Sequence, residues 1–447
     1  MINKMMTIFG TLFELRKLRT HDNWSSEQLK THQAQALTAL RHFAVTNSPF
    51  YREFYKGLDD APLDALPILT KSLMMEHFDD FVTARAIQLD KVRAYLQRGG
   101  EGQFEGKYEV AATSGSTGNP GIFLFDHREW TTIIASFARA REWAGLRLNI
   151  AKRSSMAVVS STNEKNVSAR VGKAANTPFL PTLRLDATDP MEQLVIKLNN
   201  WQPEVLVAYA SMAYLLSQEQ TEGRLHIHPK TVFTSSEVLT EQMRTAIENA
   251  WGNVVFNEYA STETATLAAE DTQHHGMHIF EDMLLVENVD ANNNVVPPGE
   301  YGDKLLVTVL FSRTQPLIRY EISDSVRFAA KQPNSNLPYR VIDGVQGRKE
   351  DILIMAGING NRVMVHPNVF HDVMDIVPNK GWQIVERPNS LNILMVPRGE
   401  VQEQLARENL AAALEKRGVI VPLITFDKVA AIPKEPSGKS PLIKAVR

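Results

Sequence analysis

The stretch Thr113-Ser114-Gly115-Ser116-Thr117-Gly118-Asn119-Pro120-Gly121 interleaves hydroxyl side chains with glycines. Glycine frees the backbone to curl, and hydroxyls together with exposed N–H groups can surround phosphate oxygens. It is not a Walker loop, because no lysine follows Gly118. A Gly/Ser surface loop is the alternative reading, but this stretch lies between two predicted strands and not in a linker. A second stretch, Asn257-Glu258-Tyr259-Ala260-Ser261-Thr262-Glu263, follows the apolar run Val254 to Phe256. The carboxyl end of a parallel strand is where open α/β sheets bind ligands. A carboxylate there can hold Mg²⁺, a hydroxyl can touch phosphate, and an aromatic ring can stack on a base. A helix starting with Ser261 as its N-cap explains the same heptapeptide equally well.

Composition removes other chemistries. The chain has 447 residues and no cysteine, which excludes disulfides, thiolate metal sites and a cysteine nucleophile. His127, His274, His275 and His278 follow no zinc-ligand spacing. A net charge of −3 offers no basic excess for nucleic acid or an anionic membrane, so a small molecule is the expected partner. Met5 to Phe13 is apolar but too short to span a bilayer, and reads as an amphipathic first helix. The expectation is a cytoplasmic protein, monomeric or homodimeric.

These residues need a scaffold. Helical patterns are read over Ser26 to Val45, with Leu29, Leu37, Leu40 and Phe43 on one stripe, and after Thr70 as N-cap. From Ile122 onward, short apolar runs alternate with helical ones: Ile122–Phe125, Met156–Val159, Val205–Tyr209, Thr231–Phe233 and Val254–Phe256 read as strands. Such alternation predicts an α/β fold with a mostly parallel sheet covered on both faces. Between Gly276 and Arg327, the runs Met283–Val289, Lys304–Leu310 and Leu317–Tyr320 are separated by turn signals and predict antiparallel strands, as in a small barrel. A second αβ pattern follows. We expect a large domain over residues 1–347 and a small α+β domain over 348–447.

Taken in order, the motifs resemble those of the acyl-adenylate-forming enzymes. TSGSTGNPG matches their phosphate loop and YASTE their aromatic–Thr–Glu motif. Ser235-Ser236-Glu237 stands where such enzymes bring backbone up to adenine. LIRYEISD, ending at Asp324, matches the ribose-binding segment, Gly347-Arg348-Lys349-Glu350-Asp351 the hinge, and Pro436-Ser437-Gly438-Lys439 the C-terminal lysine motif. SPFYR, LPILTK and HIFED resemble the phenylacetate–CoA ligase and coenzyme F390 synthetase branch, and TSGSTGNPGIFLFDHREW is similar to proteins of phenazine antibiotic biosynthesis. Three departures stand out: Asn119 where lysine is frequent, and Ala260 and Ser323 where glycine is usual.

The resemblance implies ATP-dependent conversion of a small aromatic carboxylic acid to acyl-AMP, then transfer to CoA or a carrier-protein thiol. It implies that Thr113, Ser114, Gly115, Ser116, Thr117 and Gly118 hold phosphates, that Glu263 binds Mg²⁺ and that Thr262 touches the α-phosphate. Tyr259 would stack on adenine, and Asp324 and Arg348 would hold ribose. Tyr209, Ala210 and Ser211 would line the acyl pocket, although a core strand–helix junction explains them too. Lys439 would bridge carboxylate and α-phosphate, and Glu350 would be the hinge of a mobile C-terminal domain. Without the motifs, Lys439 would be a solvated terminal lysine and Glu350 an ordinary linker residue. AMP transfer to a phenolic hydroxyl and a non-catalytic nucleotide-binding homologue are the other functions the same residues allow.

Overall fold

The computed structural model describes residues 2–445 apart from 114–119, 147–152, 274–275, 332–334, 349–352, 359, 361, 366–367, 375–376 and 434–440. Six helices form first: α1 (Ile2–His21), α2 (Ser26–Asn47), α3 (Pro49–Phe54), α4 (Lys71–Glu76), α5 (Phe78–Phe81) and α6 (Leu89–Gln97). Ser25 and Gln28 close a capping box on α2. The Thr70 hydroxyl accepts the Leu73 N–H at 3.2 Å, so α4 starts where the sequence places it.

Strands β1 (Glu109–Ala112) and β2 (Ile122–Phe125) then form an antiparallel hairpin around the Gly/Ser stretch. Asp126 and Glu129 form a capping box on α7 (His127–Trp143). Strands and helices then alternate: β3 (Met156–Ser160), α8 (Val167–Ala175), β4 (Thr182–Asp186), α9 (Met191–Trp201), β5 (Val205–Tyr209), α10 (Ala210–Thr221), β6 (Thr231–Ser235), α11 (Glu241–Trp251) and β7 (Val255–Ser261). Of these, α8 and the edge strand β4, which is not a continuous apolar run, go beyond the sequence expectation. The last five of these strands lie parallel in the order β4-β3-β5-β6-β7. Every residue of β3 is buried, which requires cover on both faces.

Beyond β7 the sheet continues antiparallel. It adds β8 (Ala265–Glu270) and β9 (Met277–Ile279), while β10 (Leu284–Val289), β11 (Lys304–Val309) and β12 (Tyr320–Ile322) form a separate three-stranded sheet. Strands β13 (Asp324–Phe328) and β14 (Val341–Arg348) complete the nine-stranded order β13-β14-β9-β8-β7-β6-β5-β3-β4.

Three expectations need correction. No helix starts at Ser261: β7 runs through it, and its hydroxyl accepts the Thr264 N–H at 3.2 Å, turning the chain into β8. The run Leu317–Tyr320 is not itself a strand, because Arg319 takes a left-handed φ of +49° and pairing begins at Tyr320. The antiparallel sheet β10-β11-β12 is open and does not close into a barrel.

The remaining elements are β15 (Leu353–Ala356), β16 (Arg362–Val365), α12 (Asn368–Met374), β17 (Asn379–Arg387), β18 (Ser390–Pro397), α13 (Glu403–Glu415), β19 (Leu423–Lys428) and β20 (Ile443–Ala445). Their apolar faces meet in a core of their own, including Phe370, Ile384, Ile393, Leu414 and Ile443. All its buried members come from Leu353 to Ile443.

Candidate active site

Sheet register assembles the site. Tyr209 at the end of β5 pairs with Ser235 of β6, and Ser235 pairs with Glu258 of β7. The carboxyl ends of three parallel strands therefore bring together three segments that the sequence keeps well apart. The Tyr209 oxygen accepts the Ser161 N–H at 3.0 Å, and burial raises its phenol above the ordinary range. Tyr209 and Ala210 are buried, while Ser211, in the first turn of α10, is half-buried. The Ser211 N–H donates to the Glu237 carboxylate at 2.9 Å, and Ser236 between these strands takes a left-handed φ of +69°.

The β7–β8 hairpin carries the second group. Tyr259 lies in β7, and Thr262 and Glu263 occupy the turn. Glu258 braces the hairpin from beneath: its carboxylate accepts the Thr266 hydroxyl at 3.0 Å, and Thr266 meets Ser136 of α7 at 3.2 Å. Burial raises the Glu258 carboxyl, with Arg141 opposing. Across from the hairpin, Tyr259 donates a short hydrogen bond to Asp324. Asp324 in turn is the antiparallel register partner of Arg348 in β14. Burial, with the carboxylates of Glu263 and Glu321 adding to it, holds the Tyr320 phenol well above its ordinary range.

The described part of the Gly/Ser stretch is its neck. Thr113 and Gly121 exchange backbone contact, Thr113 N–H to Gly121 carbonyl at 2.9 Å, and the Thr113 hydroxyl accepts the Gly121 N–H at 2.8 Å. A Cβ on Gly121 would come within 3.0 Å of the Phe123 ring and 3.4 Å of the Lys71 Cδ. The Lys71 side chain therefore runs beside the neck. Ser114, Gly115, Ser116, Thr117, Gly118 and Asn119 lie outside the described residues, as do Glu350, Lys439, His274 and His275. No group of three or more metal-ligating side chains stands together among the described residues.

Several positioning residues escaped the sequence reading. Gln315 is buried and spans β2 like a strand partner, accepting the Leu124 N–H at 2.6 Å and donating to the Ile122 carbonyl at 3.2 Å. Glu129 accepts from the Thr314 N–H at 2.9 Å and from the Thr314 hydroxyl. Arg319 pairs with Glu287 at 2.9 Å and donates to the carbonyls of Asp64 and Leu66 at 2.7 and 2.6 Å. Leu69 and Glu321 then bridge the two segments, Glu321 N–H to Leu69 carbonyl at 3.0 Å. Two motifs, LPILTK and LIRYEISD, are thereby one structural unit. Their only sequence signal was the resemblance itself, because hydrogen bonds over such separations leave no periodicity.

No protein-family model matches the chain. It is 25% identical over 372 residues to protein CapK of Staphylococcus aureus, covering 78% of this chain and 76% of that one. It is 23% identical over 400 residues to the phenylacetate–coenzyme A ligase of Thermus thermophilus, covering 86% and 83%. Among solved structures, 2-hydroxyisobutyryl-CoA ligase in its postadenylation state matches with a TM-score of 0.76 at 18% identity, over 96% of this chain and 91% of that one. That likeness shows the fold, that of an acyl-CoA ligase. In sequence the chain is similar to the phenylacetate–coenzyme A ligases, at 23–24% identity over three quarters or more of its length.

Proposed function

We propose that this protein activates a carboxylic acid with ATP and passes the acyl group to the thiol of CoA. A carboxylate oxygen attacks the α-phosphorus, pyrophosphate leaves, and the thiol then displaces AMP from the acyl-AMP. The observation that carries this reading is the meeting of Tyr259 with Asp324 beside Arg348, at the edge where Tyr209, Ser235 and Glu258 align. Those residues would hold the nucleoside, with Tyr259 against adenine and Asp324 and Arg348 on ribose. Thr113 through Gly118 would hold phosphates, Thr262 would touch the α-phosphate, and Ser235, Ser236 and Glu237 would bring backbone to adenine.

Positioning and charge neutralisation dominate such transfers. Glu263 is a hard oxygen donor in a hairpin turn and suits Mg²⁺, which is commonly held by one or two carboxylates together with substrate phosphates. When bound, Mg²⁺ would supply charge neutralisation at the phosphates. With Asn119 in place of lysine, Lys71, whose side chain runs beside the loop neck, would bring a cation there. Lys439 would bridge the carboxylate and α-phosphate. A separate core over Leu353 to Ile443 supports a C-terminal domain that moves on Glu350 after adenylation.

The preferred acid is aromatic, on the strength of the phenylacetate–CoA ligase relatives; phenazine carboxylates belong among the candidates, and a carrier-protein thiol is the alternative acceptor. ATP-dependent hydroxamate formation with hydroxylamine, measured across aryl acids, tests the reading. Hydroxamate from one acid supports it. ATP consumption only with a phenol present, and no hydroxamate from any acid, would replace it with AMP transfer to oxygen.

A further inference from the structure

Helix α1 is apolar on two sides. One side packs on α7, where Gly10 lies so close to Thr131 that a Cβ would meet its methyl at 2.9 Å, and where Leu15 and Leu18 enter the core. The other side leaves Met5, Met6, Phe9, Leu12 and Phe13 each between 41% and 69% exposed. Their spacing puts all five on one face over about two turns. No other helix among the described residues exposes more than one large apolar side chain in this way. A contiguous apolar face of that kind marks an interaction surface, whereas scattered exposed residues do not.

Charge identifies what it meets. The helix sequence holds four basic residues, Lys4, Arg16, Lys17 and Arg19, against one acid, Glu14, which is buried. Arg16, Lys17 and Arg19 are exposed and continue beyond the apolar stripe toward the helix end. Arg19 and Lys17 reach Glu142 and Glu14, while Arg128 at the start of α7 adds another exposed cation on the neighbouring helix. The overall charge of −3 conceals this local excess. A second copy of α1 laid along the stripe, in either direction, would set cations or a positive helix end against cations. An anionic, deformable, apolar partner meets both features: long Met, Phe and Leu side chains enter the acyl boundary while the basic residues meet lipid headgroups.

We propose that α1 attaches the protein peripherally to anionic membrane surfaces. No helix among the described residues is long and apolar enough to cross a bilayer, so attachment rests on this face. The full chain would be sedimented with extruded phosphatidylcholine vesicles and with vesicles containing about one third phosphatidylglycerol. Binding is expected to the anionic vesicles, to weaken with salt, and to drop about fivefold per basic residue reversed or removed, as in Arg16→Ser and Lys17→Ser. Phe9→Glu with Phe13→Glu should abolish it while the circular dichroism and melting curve stay unchanged, since both rings are exposed. No sedimentation at low salt, or sedimentation indifferent to the double variant, overturns the proposal. So does a dimer in analytical ultracentrifugation that Phe9→Glu/Phe13→Glu dissociates, with no vesicle binding; a second copy would then cover the face.

Discussion

Tyr259 and Asp324 are joined by a short hydrogen bond across 65 residues of sequence. The phenol donates to one carboxylate oxygen of the buried Asp324. A ring that would stack on adenine and a carboxylate that would hold ribose are thus positioned as one unit. Because Asp324 is also the register partner of Arg348, the unit extends to the last residue of β14.

Tyr259→Phe removes the donor and keeps the ring. A hydrogen bond to a charged group contributes about 1.5–3 kcal/mol, so the KM for ATP should rise roughly tenfold or more while kcat changes little. Pyrophosphate exchange at varied ATP reads both. An unchanged KM would separate Asp324 from the nucleotide.

Lys71→Ala should raise the KM for ATP and slow adenylation, with Lys71→Arg restoring part of the loss. The side chain runs past Gly121 at the neck of the phosphate stretch, where Asn119 supplies no cation. Full activity in the alanine variant would leave Lys71 a packing residue.

Lys439→Ala should cut acyl-AMP formation by orders of magnitude with ATP affinity little altered. Glu350→Pro should spare that half-reaction and block thioester formation, because proline restricts the φ that a hinge must change. Quenched-flow measurement of the two half-reactions distinguishes them; intact thioester formation in the proline variant removes Glu350 from the hinge.

Stability should fall in acid through Asp282. Burial alone would raise this carboxyl, but Arg139 and His21 outweigh it and hold it well below the usual range. Arg139 is fully buried, meets both Asp282 oxygens at 2.8 and 2.7 Å, and lies over the rings of Trp143, Phe280 and Tyr339. A depressed folded pKa means the stabilisation is present above the unfolded value near pH 4 and is lost as pH falls below it. Asp282→Asn should cost about 3–5 kcal/mol by stranding a buried guanidinium, and should flatten the acid limb of the melting temperature against pH. An unaltered acid limb would assign the acid sensitivity to other carboxylates.

Periodicity made much of the scaffold legible. The alternation of short apolar runs with helical patterns located β3, β5, β6 and the helices α9, α10 and α11, because a strand buried on both faces must be continuously apolar; α8 and the edge strand β4 carried no such run. Thr70 marked the start of α4, and the Gly/Ser stretch fell between the paired strands β1 and β2. Where two local rules competed, the sequence left both open: Ser261 is a good N-cap, and only pairing with β8 makes it a strand end.

The tertiary structure alone decided the rest. Gln315 against β2, Arg319 against Asp64 and Leu66, and Arg139 against Asp282 join residues far apart in the chain. Such contacts depend on register and loop path, which no local pattern encodes. The same holds for α1. Its apolar residues predicted a helix, but with apolar side chains on both sides they could not say which side faces α7. Packing chose Leu15 and Leu18 for the core and left Phe9 and Phe13 outside, because a helix can bury only one face against a single neighbour.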